Sequence, residues 1–122
     1  MSYINDTVFD TGLAIITANA DKLDICSSEP ANYAGIAAVT LGNKAVTVGA
    51  ATNGAVDGRK VVVPAITDGA VTADGTAAYW ALSDGSATLY ASGPLSATQA
   101  VVNGNQFTLD AINVGIRDAA AV

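Results

Sequence analysis

Carboxylates at turn positions are the first residues here whose type and spacing could do chemistry. Asp57, Asp68, Asp74 and Asp84 each precede a glycine. Gathered at loop ends, their oxygens could bind a hard cation such as calcium. Asp before Gly also serves turn geometry alone, because the pair tolerates positive φ and the Asp side chain caps nearby backbone. No spacing resembles an EF-hand loop, so turn chemistry is the expected role and no metal is assigned. A glycosidase would need two of these carboxylates at a fixed separation, and the sequence carries no paired-acid signature. Tyr79 and Trp80 could stack on a sugar ring. Adjacent strand residues point to opposite faces, so one ring is expected in the core and the other outside.

Nucleophiles offer less. The chain has one cysteine, Cys26, and no histidine. Cys26 has no basic neighbour in sequence to stabilise a thiolate, and reads as a buried small hydrophobe. No Gly-x-Ser-x-Gly elbow, Gly-x-Gly-x-x-Gly loop or Walker pattern occurs. Gly58-Arg59-Lys60 is the one basic pair, either a solvated strand edge or a contact for an acidic partner. The expectation is a non-enzyme with no cofactor.

These residues need elements to carry them. Ile4, Val8, Phe9, Leu13, Ile16 and Ala20 recur at three- and four-residue steps, which predicts a helix over about residues 4–19. Val8, Phe9 and Leu13 on it are either a docking or oligomer face, or simply the cover of a sheet. Lys22–Ser27 alternates and reads as a first strand. Further strands are expected at Ile36–Leu41, Lys44–Ala50, Arg59–Ile66, Ala70–Ala73, Thr76–Ser83, Ala87–Ser92, Gln99–Val102, Gln106–Leu109 and Ile112–Ile116. The Asp-Gly pairs, with Asn53-Gly54 and Asn103-Gly104, supply the turns. Val101 to Phe107 across Asn103-Gly104 is the strongest hairpin signal, and Thr76–Ser83 with Ala87–Ser92 a second. The expected core is Leu23, Ile25, Val39, Leu41, Val46, Val48, Val61, Val63, Ile66, Trp80, Leu82, Leu89, Phe107, Leu109, Ile112 and Ile116.

Composition sets the class. The 122 residues are 51% hydrophobic and 13% charged, with 5 basic and 11 acidic side chains and a net charge of -6. Mean hydropathy is +0.40. The acidity argues against nucleic-acid binding. The longest apolar run, Val61 to Ile66, falls far short of the roughly 18 residues that span a bilayer. Met1 to Asp6 has no basic stretch of a secretory leader, so synthesis in a cytosol is expected. A free-standing domain usually carries about 25% charged residues. A charge-poor surface of small residues suits an assembly in which that surface is covered.

Thr76-Ala77-Ala78-Tyr79-Trp80-Ala81-Leu82-Ser83-Asp84-Gly85 leads into Thr88-Leu89-Tyr90-Ala91-Ser92-Gly93-Pro94-Leu95-Ser96, then Val101-Val102-Asn103-Gly104-Asn105-Gln106-Phe107-Thr108-Leu109. Upstream stand Leu23-Asp24-Ile25-Cys26-Ser27-Ser28-Glu29-Pro30 and Leu41-Gly42-Asn43-Lys44. This order resembles small virion structural proteins of tailed bacteriophages, over nearly the whole chain. The resemblance implies a capsid decoration, or cement, protein made in a bacterial cytoplasm and placed on the capsid surface. Its implied partners are the major capsid protein and further copies of itself, as a dimer or trimer, with no nucleic acid and no membrane. A head-fibre, neck or tail component is the alternative, and a carbohydrate-binding module for host attachment stands further off. The motifs define no site residues. The fold expected is mainly β, an antiparallel sandwich or barrel of about eight short strands with one N-terminal helix. One domain spans 1–122, with the helix in 1–20, the β-structure in 21–118 and an apolar tail at 119–122.

Overall fold

The computed structural model describes residues 6–54 and 58–116. Helix α1 spans Asp6–Asn19 and strand β1 Lys22–Cys26. A second helix, α2, occupies Tyr33–Val39. Strands β2 (Thr40–Ala45), β3 (Thr52–Asn53), β4 (Arg59–Val63) and β5 (Ile66–Val71) follow. Then come β6 (Gly75–Ser83), β7 (Leu89–Val101), β8 (Gln106–Leu109) and β9 (Ile112–Ile116). The fold is mainly antiparallel β. A curled six-stranded sheet runs β7-β6-β1-β2-β5-β8, and a smaller one runs β3-β4-β9.

The chain changes sheets where its backbone cannot continue a ladder. Arg59–Ile66 was expected as one strand. Pro64 lacks an N–H and splits it, leaving β4 in the small sheet and β5 in the large one. Both sheets and α1 then share one core, including Leu13, Leu23, Ile25, Val61, Val63, Leu82 and Phe107. Of the other expected core residues, Trp80, Val46, Leu109 and Ile112 pack against it half-buried. Val39 and Leu89 instead join a second cluster. The side chain of Ile116 lies outside the described residues.

That second cluster exists because of α2, which corrects the expectation of a strand at Ile36–Leu41 and of a single helix. Asn32 caps it, its side chain accepting from the Gly35 N–H at 2.9 Å. Ile36 then packs on Cys26 and Ala81. So β1 is buried on both faces. Leu23 and Ile25 face the main core, while Asp24 and Cys26 lie on the side that α2 covers.

Turn signals proved uneven. Asp84-Gly85 closes the β6–β7 hairpin as expected, with Leu82 opposite Ala91. Gly85 has φ 76°, and Asp84 Oδ1 accepts from the N–H groups of Ser86, Ala87 and Thr88. Those bonds hold the Asp84 carboxyl at about 2. Their contribution is present above the ordinary carboxylate range and is lost as pH falls through about 2. Asp68-Gly69 is no turn: it lies inside β5. Gly69 sits opposite Phe107, and a Cβ there would overlap the phenyl ring. Asn103-Gly104 does turn the chain, with Gly104 at φ 90°. Its flanking strands do not pair, because β7 and β8 are opposite edges of the curled sheet. Only a side-chain bond, Gln99 Nε2 to the Thr108 carbonyl at 2.7 Å, crosses that seam among the bonds described. Strand β7 also absorbs the expected strand at Gln99–Val102. Between Pro94 and Gln99 it bulges, since their partners Tyr79 and Ala77 stand only two residues apart.

Two stability predictions follow from this packing. Gly69→Ala is expected to cost about 1–3 kcal/mol by overpacking against Phe107, read as a lowered urea midpoint. Gly69→Ala with Phe107→Leu should lose less than the sum of the single changes in a double-mutant cycle; strict additivity would mean the ring does not set the cost. The second concerns Asp24. Burial pushes its carboxyl above the ordinary range, against the Thr40 hydrogen bond and the Lys22 charge. Its stabilising contribution is therefore complete below about pH 3.9 and is lost as pH rises through the raised value. Asp24→Asn should remove this component, so that its stability relative to the parent increases from pH 4 to pH 7. Parallel pH curves for parent and variant would assign the effect elsewhere.

Candidate docking surface

Helix α1 carries two apolar stripes, and the fold uses one of them. Phe9, Leu13, Ile16 and Ala20 turn inward; Phe9 and Leu13 are each 2% exposed. The opposite stripe stays in solvent, with Val8 at 62% and Ile15 at 54% exposure. Seven residues make two helical turns, so these two side chains stand on one line. Thr11, Gly12, Ala14, Ala18 and Asn19 are exposed around them. Of the three expected docking residues, then, Phe9 and Leu13 are core residues covering the sheets, and only Val8 faces outward. Ile15 was missed. Its cue was its position seven residues after Val8, masked in sequence by the overlapping inward stripe.

The helix is pinned by polar contacts at its inner edge. Arg59 Nε donates to Asp10 Oδ1 at 2.8 Å. Its other nitrogens reach the Asn53 side chain at 2.6 Å and the Ala51 carbonyl at 3.2 Å. Arg59 thus ties α1 to β3 and β4, rather than serving as a bare strand edge or an acidic partner's contact. Thr17 Oγ1 donates to the Gly49 carbonyl at 2.9 Å, holding the 46–51 loop against the helix. Between them lies a groove of about 490 Å³ lined by Asp10, Ala14, Thr17, Ala18, Ala50 and Ala51. The groove borders the exposed stripe, so small apolar side chains run from one into the other. Asp10, the acid at its edge, is already neutralised by Arg59. Residues 1–5 and the apolar tail at 119–122 lie outside the described residues.

The remaining candidates sort by position. Asp68 pairs with Lys44 at 3.1 Å, Asp74 accepts from the Asn103 N–H at 2.7 Å, and Asp84 caps its turn. These three carboxylates therefore serve separate structural tasks, and Asp57 lies outside the described residues. Cys26 is buried, and burial with the nearby Asp24 charge pushes its thiol up to about 12. Such a thiol carries almost no thiolate at neutral pH. Tyr79 and Trp80 take opposite faces of β6, and both are half-buried. Tyr79 joins the α2 cluster. Trp80 borders a groove of about 360 Å³ at the open seam, with Ser96, Gln99, Thr108 and Asp110. The two rings therefore form no common stacking platform.

Against known proteins, the chain matches no family model, no curated protein and no solved structure.

Proposed function

We propose that this chain is a structural protein of a tailed-phage virion, acting as a capsid decoration protein that bridges neighbouring major capsid subunits. One observation carries the reading: an acidic, charge-poor chain turns an apolar helix face, with Val8 and Ile15, into solvent. An apolar patch rimmed by polar residues is the common form of a protein-binding surface. The role is non-enzymatic. It needs no cofactor and no metal, and it needs contact with the capsid protein and further copies of the chain. Repetition over a lattice makes modest affinity per copy sufficient, because attachment at one point raises the effective concentration at the next. Burial of the α1 stripe supplies the contact, and symmetric copies present the same stripe at each lattice position.

Stoichiometry tests the position. Quantitative mass spectrometry of purified particles should give a ratio to the major capsid subunit near one, or a simple fraction such as one third. A ratio of a few per cent would move the chain to a head-fibre, neck or tail position, and absence from particles would end the virion reading.

Substitutions test the surface. Ile15→Asp should leave the isolated protein folded, since surface changes usually stay within about 0.5 kcal/mol, while abolishing co-sedimentation with particles. Phe9→Asp should instead unfold the protein, since it places a charge in the core. Retained particle binding by a folded Ile15→Asp variant would remove α1 from the interface.

A further inference from the structure

We propose that residues 27–39, with α2 at their centre, form a strap that opens off the outer face of β1 while the rest of the fold stays intact, and that ionisation of Asp24 favours the open form. Of the seven residues of α2, only Ile36 is buried. The chain leading into the helix, 27–32, is exposed apart from Pro30. Ile36 packs on Cys26 and Ala81, and no residue of α2 belongs to the main core. Lifting the strap therefore uncovers one small cluster and leaves the main core closed. The Ser27 N–H donates to the Val39 carbonyl at 3.0 Å, so the two ends of the segment meet at one hinge. Among the bonds described, the tie from its middle to another element lies at the surface, where Ser92 Oγ donates to Glu29 Oε2 at 3.1 Å. A segment with so few buried contacts opens at less cost than global unfolding.

Asp24 couples the strap to pH. Its side chain is 2% exposed and lies beneath Tyr33, Ile36 and Ala37 of α2. In the closed form the protein gives it one donor, Thr40 Oγ1 at 2.7 Å, and burial pushes its carboxyl above the ordinary range. Opening admits water to both carboxyl oxygens and removes that burial. The closed form therefore holds the proton more tightly than the open one, and rising pH favours opening. The groups around Asp24 do not reverse the sign. Lys22 on β1 favours the carboxylate, but burial outweighs it. Cys26 on β1, Tyr33 on α2 and Tyr79 on β6 carry no positive charge in either protonation state, so none of them supports the carboxylate. Strand β2 turns only the uncharged Thr40 and Asn43 toward it. The inference does not rest on the virion reading, and the isolated protein tests it.

Cys26, fully buried beneath the strap, reports the opening. The full chain is labelled with dithiodipyridine, whose disulfide the uncovered thiolate attacks, forming a mixed disulfide and releasing one coloured pyridinethione. Urea is kept below the unfolding transition, and glutathione labelled alongside gives the pH dependence of an open thiol. The Cys26 rate should be nearly independent of urea in this range, because opening the strap exposes little surface. Ile36→Ala should speed it about tenfold or more, and Asn32→Ala, an exposed change that removes the cap, about fivefold. Relative to glutathione, the rate should rise from pH 4 to pH 7 in the parent and stay level in Asp24→Asn. If the Asp24 variant fails to fold, the parent's own ratio still decides. Labelling that climbs with urea at the slope of global unfolding overturns the proposal. So does a rate unmoved by both α2 substitutions, or a parent ratio that stays level with pH.

Discussion

Everything in this molecule is arranged around a strand that must be covered twice. Strand β1 lies inside the six-stranded sheet, between β6 and β2. Leu23 and Ile25 can be buried only if α1 and the small sheet close over the inner face. Cys26 can be buried only if α2 closes over the outer one. A single five-residue segment therefore fixes the position of both helices and of the second sheet. It also explains the one polar residue held in the middle of it. Asp24 is in the interior because of its strand position, and Thr40, the first residue after α2, meets it there.

Much of this was legible in the sequence, and the misses share a cause. The hairpin at Asp84-Gly85 and the strands at Gln106–Leu109 and Ile112–Ile116 are marked by their own turn residues and alternation, although β8 and β9 pair with the distant β5 and β4. Tertiary contacts decide the others. Ile36 and Val39 favour strands by side-chain type, yet the Asn32 cap and the alanines around them form a helix that β1 needs as its lid. Gly69 reads as half of a turn and is instead the space that Phe107 fills. Asn103-Gly104 turns the chain, but its two strands are parted by the curl of the sheet. In each case the local signal was real and a distant partner gave it a different use.

The exposed stripe of α1 was half legible for a similar reason. A helix with two apolar stripes has no sequence mark to say which of them is covered. Phe9 is larger than Val8 and takes the core, where it buries more area. Leu13 and Ile15 are equal in size, so their sides follow from the helical spacing to Phe9 and Val8. Val8 and Ile15 are left outward by subtraction. The Asp10–Arg59 pair strengthens this choice, because it locks the rotation of the helix about its axis.

The sheet order also sets a schedule. Strand β1 is read from the messenger early, but its partner β6 begins at Gly75, and the edge strand β8 at Gln106. Most of the pairing therefore joins residues far apart along the chain, a topology that folds more slowly than one built from local contacts. On the ribosome the first half of the molecule must wait, with Leu23 and Ile25 uncovered, until the second half has emerged. The same delay withholds the exposed stripe: α1 acquires its fixed rotation only when Arg59 and the β4 strand beneath it are in place.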